Sequence, residues 1–132
     1  MGTVDKLTEL QYRRSVIEKC GGEAMVKKQH DAGKLTARER INALFDEGSF
    51  IETDAFVSHR CTAFGMDAKE APADGVVTGY GSVDGRLVFA YSQDYTVIDG
   101  SVGEMHSKKI CKVMDMAAKT GTPVIGISDS SG

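Results

Sequence analysis

Nowhere in this sequence does an apolar run approach the roughly 20 residues that a membrane-spanning helix needs. The amino terminus also lacks the charged stretch and long apolar core of a secretion signal, so a cytoplasmic location is expected. Cysteine is scarce: Cys20, Cys61 and Cys111 are odd in number, widely spaced and without a CxxC pair. Neither a disulfide framework nor a zinc site is encoded, and three reduced, partly buried thiols are expected, with no metal. An excess of one charge is missing too. The formal net charge is −3, and no basic stretch is studded with aromatics, which argues against nucleic acid as a partner. GxSxG, GxxxxGK[ST], HExxH and a strand leading directly into GxGxxG are all absent. Without these side-chain machines, chemistry driven by the backbone gains weight.

What is present is a hydrophobic content of 41% with 27% charge, the composition of a soluble globular chain. The most informative stretch is Leu87 to Gly132. Leu87–Tyr91 is a short β-branched and aromatic run suited to a buried strand. A polar loop, Ser92–Gly100, separates it from a segment with Ile110, Val113, Met114 and Ala117 on one helical stripe. Ser101 and Glu104 fit a capping box at the start of that helix, and Gly121 and Pro123 mark its end. His106 is read as structural. Val124–Ile127 then reads as a second buried strand that leads into Ser128–Gly132. Small residues at a strand end let backbone N–H groups approach a phosphate or a developing enolate oxygen. The sequence stops where such a loop hands over to a helix, so a longer chain is expected.

Upstream, Leu7, Leu10 and Ile17 share one side of a helical segment that Gly21-Gly22 interrupts, and Glu23–His30 forms a second short helix. Both are more polar than core helices and read as an arm that packs on something else. Thr36 and Glu39 satisfy the S/T-x-x-E box, so a helix is expected from Ala37 with Ile41, Leu44 and Phe45 inward and Gly48 at its end. Arg38 and Arg40 would face solvent or a ligand. Phe50–Val57 is strand-like, Pro72–Gly75 is turn chemistry, and Asp84-Gly85 between Val76–Val83 and Arg86–Tyr91 marks an antiparallel hairpin.

The stretches GKLTARERI (Gly33–Ile41), FVSHRCTAFGM (Phe56–Met66), PADGVVTGYGSVDGR (Pro72–Arg86), SQDYTVIDGSVGEMHSKKI (Ser92–Ile110) and GTPVIGISDSSG (Gly121–Gly132) together resemble one family. It is the carboxyltransferase subunit of biotin-dependent acyl-CoA carboxylases, decarboxylases and transcarboxylases, and the likeness runs from about Val16 onward. The resemblance implies an α/β, crotonase-like fold in which β-β-α units wind into a spiral. Residues 1–48 would be a helical arm, and residues 49–132 the first units of the amino-terminal carboxyltransferase domain.

It further implies carboxyl transfer between biotin and the α carbon of a short acyl-CoA, through a thioester enolate held by backbone N–H groups. In the family those donors lie in a D-S-G-G-A-R loop. Asp129, Ser130 and Gly132 match it and Ser131 takes the first glycine position, so the N–H groups of Ser131 and Gly132 are the implied oxyanion hole. A position needing positive φ would not suit serine. Arg60 is implied in contact with CoA phosphates, and Gln93, Asp94, Tyr95 and Gly100 border the CoA. Implied partners are a biotin carboxyl carrier protein, a biotin carboxylase or membrane decarboxylase subunit, and further copies in a homo-oligomer. Two other readings are a crotonase-type hydratase or hydrolase that never meets biotin, and a chain with no activity by itself. A doubly wound nucleotide-binding module is disfavoured, because all-parallel sheets are not built from hairpins.

Overall fold

In the computed structural model, which describes residues 2–132, α1 (Thr3–Glu18) and α2 (Glu23–Asp31) meet at the expected Gly21-Gly22 break. No residue of α1 is buried. The Thr36–Glu39 capping box starts α3 (Ala37–Leu44), with Thr36 donating its N–H to the Glu39 carboxylate at 2.8 Å and Glu39 returning its own to the Thr36 hydroxyl at 3.3 Å. The helix ends at Leu44 rather than Gly48, because Phe45 turns to extended backbone to bury its ring.

The chain then builds a four-stranded sheet in the order β1 (Ile51–Thr53), β2 (Val76–Val83), β3 (Arg86–Gln93) and β4 (Val124–Ile127). The β2–β3 hairpin pairs antiparallel from Val83↔Arg86 to Val76↔Gln93, with Asp84 and Gly85 both at positive φ as a tight two-residue turn demands. The carboxylate of Asp46 secures that turn, accepting the Asp84 and Gly85 N–H groups and the Ser82 hydroxyl. After β3, α4 (Glu104–Thr120) crosses over so that β4 lies parallel to β3. The unit is β-β-α followed by the next strand, as expected.

Helices cover both faces of the sheet. Ala37, Ile41 and Phe45 pack on Val77, Val88 and Ala90 on one side, and Val113 and Ala117 pack on Phe89 on the other. Successive β3 side chains point to opposite faces, which is why Leu87–Tyr91 is apolar without alternation. Because α3 belongs to this core, a boundary at residue 48 separates it from the sheet on which it packs. Gly79 and Gly81 admit the rings of Phe50 and Phe45, since a Cβ at either would meet ring carbons within 2.9 Å.

Three local expectations are corrected. The strand foreseen over Phe50–Val57 spans only Ile51–Thr53, because Asp54 adopts a φ of 55° and turns its carboxylate toward Lys112 on α4. The cap of α4 is not Ser101: Gly103 holds the N-cap position without a side chain, and Asp74 supplies the acceptor, taking the His106 N–H at 2.8 Å. Of the cysteines, all free, Cys20 is buried while Cys61 and Cys111 are exposed. Burial, then the nearby Asp94 carboxylate, pushes the Cys20 thiol up to about 12. No helix among the described residues is long and apolar enough to cross a membrane.

Candidate active site

Parallel pairing places the carboxyl ends of β3 and β4 side by side, and the loops that leave them are laced together. The carbonyl of Asp99 accepts the Ser131 N–H at 3.0 Å, and the carbonyl of Gly132 accepts the Val102 N–H at 2.8 Å. Gly100 lies between these bonds at a φ of +63°, where a Cβ would come within 2.2 Å of the Asp129 carbonyl oxygen. Only glycine allows the two loops to close on each other here. Ser131 is not among the residues of positive φ, so serine in place of the family's first glycine carries no left-handed strain.

Asp129 is fixed from the other side. Its carboxylate receives Lys34, Gln29 Nε2 at 2.9 Å and Arg40 Nη1 at 3.0 Å. Burial alone would raise this carboxyl, but the bonds from Lys34 and Gln29 and the charge of Arg40 outweigh it and hold the group below its ordinary value. Its N–H is donated to Gln93 Oε1 at 3.1 Å. The turn from β3 is therefore bound to the loop from β4 at both the main chain and the side chain.

The sequence-derived site residues divide into two groups. Gln93, Asp94, Tyr95, Gly100, Ser131 and Gly132 gather at the ends of β3 and β4, whereas Arg60 lies apart on the exposed segment after β1. Gln93 and Asp94 are buried and hydrogen-bonded: Gln93 between His106 and Asp129, Asp94 as acceptor for the Thr96 N–H and hydroxyl. In this arrangement both hold the loop. Tyr95 is half-buried with the Lys34 ammonium 4.7 Å from its ring centre. The N–H groups of Ser131 and Gly132 are not free either. The first bonds to Asp99 and the second to the Ser130 hydroxyl at 3.1 Å, so a ligand oxygen would have to displace these partners.

Arg60 lines a cavity of about 520 Å³ together with Ile98, Ser101 and Gly103, the residues flanking Gly100. Its guanidinium grips both oxygens of Glu104. That bond, and then one from Lys108, brings the Glu104 carboxyl down to about 2. Arg38 and Arg40 do not face solvent: Arg38 pairs with Glu52 through bonds of 2.6 and 2.9 Å, and Arg40 with Asp129. Sequence reasoning missed Gln29, Lys34 and Arg40 as holders of Asp129. Lys34 and Gln29 lie 95 and 100 residues from it, and no local pattern records such a pairing. Among the described residues no cluster of three or more His, Cys, Asp or Glu side chains is placed to hold a metal.

Residues 28–132 match the family described as the carboxyl transferase domain. The chain belongs to that family. The chain is 59% identical over 127 residues to the methylmalonyl-CoA decarboxylase alpha subunit of Propionigenium modestum, covering 96% of this chain and 25% of that protein. It is 56% identical over 128 residues to the propionyl-CoA carboxylase beta chain of Roseobacter denitrificans, covering 97% and 25%. Among solved structures, transcarboxylase 12S, a hexamer seen with methylmalonyl-coenzyme A and methylmalonic acid bound, superposes with a TM-score of 0.97 at 51% identity. That match covers 100% of this chain and 26% of the transcarboxylase. The chain thus spans about a quarter of the length of the relatives it matches. The helix-flanked β-β-α sheet is the crotonase-like fold of carboxyltransferase domains.

Proposed function

We propose that this chain forms the leading part of the acyl-CoA-binding domain of a cytoplasmic, biotin-dependent carboxyltransferase. Residues 1–48 supply a helical arm whose last helix docks on the sheet, and residues 49–132 the first β-β-α units. The observation that supports this best is the Asp129–Gly132 loop. It is a run of small residues at a strand end, pinned through its one large side chain by Lys34, Gln29 and Arg40, in a chain that follows transcarboxylase 12S throughout. Biotin, borne by a carrier protein, would supply or accept the carboxyl group at N1. The substrate is a short acyl-CoA, and the physical demand is on the thioester oxygen. Loss or gain of CO₂ at the α carbon puts negative charge on that oxygen, and fixed donors stabilise it more than a titrating acid does.

The Ser131 and Gly132 N–H groups are these donors. They turn from Asp99 and the Ser130 hydroxyl to the thioester oxygen when substrate enters. Asp129 keeps the loop in place because its carboxylate is held by Lys34, Gln29 and Arg40. Arg60 meets the CoA phosphates after exchanging Glu104 for them, with Tyr95 and Gly100 along the same border. A biotin carboxylase or a membrane decarboxylase subunit would complete the cycle, and the subunit would work as a homo-oligomer. The test is decarboxylation of malonyl-CoA or methylmalonyl-CoA by the full-length protein with free biotin. Turnover that depends on biotin is expected, while hydration of an enoyl-CoA with no response to biotin would assign the fold to hydratase chemistry instead.

A further inference from the structure

Behind the loop lies a buried chain of polar groups that the proposed reaction does not itself use. His106, fully buried on α4, places Nδ1 2.9 Å from the main-chain carbonyl of Asp74 and Nε2 3.2 Å from Gln93 Nε2. Gln93 Oε1 accepts the Asp129 N–H. A carbonyl oxygen can only accept, so Nδ1 carries the ring proton and Nε2 presents a lone pair. That lone pair can face only the NH₂ end of Gln93, which leaves the amide oxygen for Asp129. Each orientation is dictated by the one before it. Were Nε2 protonated, both ring nitrogens would donate, Gln93 would have to reverse, and two donors would confront each other at Asp129.

We propose that His106 and Gln93 are positioning residues that set the Asp129 main chain, and through it the loop that meets the thioester oxygen, by relaying the imidazole tautomer across the buried amide. This rests on the carboxyl-transfer reading for its catalytic consequence, though not for the relay itself. The groups facing the ring fit the role. Asp74 takes the His106 main-chain N–H, and Lys109, one turn on, gives its ammonium to the carbonyls of Ala73 and Val76 at 2.6 Å each. Burial, joined by the charge of Lys109 and opposed by Asp74, holds the ring below its ordinary value and so in the neutral form.

The experiment compares His106→Gln, His106→Asn and Gln93→Leu in the full-length protein. A glutamine at 106 sets an acceptor near the place of Nε2 and keeps the relay; an asparagine reaches only the place of Nδ1 and breaks it. The readouts are hydrogen exchange at the Asp129 amide and the separate kcat and KM for acyl-CoA. His106→Asn and Gln93→Leu are expected to speed Asp129 exchange and lower kcat roughly tenfold or more with little change in KM, since small misplacements of reacting groups cost that much. His106→Gln should stay near the parent on both. Equal losses in the Gln and Asn variants, or unchanged exchange in Gln93→Leu, overturn the relay. Nitrogen NMR of the parent needs no variant to fold: an Nε2–H tautomer at neutral pH also overturns it. A parent without carboxyl transfer whose Asp129 exchange still responds would sink the functional reading and leave the relay standing.

Discussion

Asp74 caps α4 from 32 residues away, and replacing it with alanine leaves the first turn of that helix without its acceptor. Asp74→Ala should lower unfolding free energy by about 1–2 kcal/mol, measured by urea denaturation; a loss too small to detect would mean that the helix start does not depend on this carboxylate. The contrast with Thr36–Glu39 shows what a sequence makes legible. That box closes over three residues, so both partners sit in one reading window, whereas Asp74, Gln29 and Lys34 find partners only once the sheet has brought distant segments together. Ser101 satisfied the same local pattern as Thr36 and failed, because the chain enters α4 at Gly103. At Arg60 the competitor is also a residue: Glu104 occupies the guanidinium that the proposed function assigns to a CoA phosphate. Arg60→Ala should weaken CoA binding and Glu104→Gln should tighten it, each by roughly twofold to fivefold given the modest worth of exposed ion pairs. Calorimetric titration decides it, and a Glu104→Gln variant that binds no better removes Arg60 from the phosphate site.

Among the elements, the hairpin was the most legible, because the Asp84-Gly85 turn fixes both its existence and its register. β1 was overread, since nothing in the composition of Phe50–Val57 discloses that Asp54 reverses its backbone to reach α4. The attachment of α4 to the turn before β2 was invisible for a different reason: it depends on Lys109, which shares the helical face of Val113 and Ala117 but carries a charge that ordinarily stays in solvent. Instead Lys109 is buried, and burial brings its ammonium down to about 8. Its two short bonds to main-chain carbonyls need only two N–H groups, which a neutral amine still has. The unfolded chain keeps this proton to its ordinary value of 10.5 while the folded chain releases it near 8, so between these values the unfolded state binds more protons and stability rises with pH. Cys20 acts in the opposite sense from its ordinary value of 9.0 upward, which leaves about one pH unit above 8 for Lys109 alone. Denaturation midpoints should increase across that interval in the parent and stay flat in Lys109→Met; parallel curves would show that Lys109 is charged throughout.

At the scale of the molecule, the arrangement is a covered sheet with an open flank. α3 and α4 close its two faces, but β4 stands at one end of the strand order with its residues only partly buried, and α1 leaves Leu7, Leu10 and Tyr12 exposed. An edge strand presents a row of unpaired main-chain groups that another strand can continue. The loop proposed to receive the thioester oxygen leaves from that same edge strand, and its Ser131 and Gly132 N–H groups bond to Asp99 and Ser130. Pairing along β4 would hold the loop from its second side, and on the proposed reading that support is what turns the donors toward a substrate oxygen. Residues 1–132 alone should therefore give no biotin-dependent decarboxylation of malonyl-CoA or methylmalonyl-CoA above background, while the full-length protein turns both over. Turnover by the isolated segment would mean that the loop opens without support from β4, and that the flank is no part of the site.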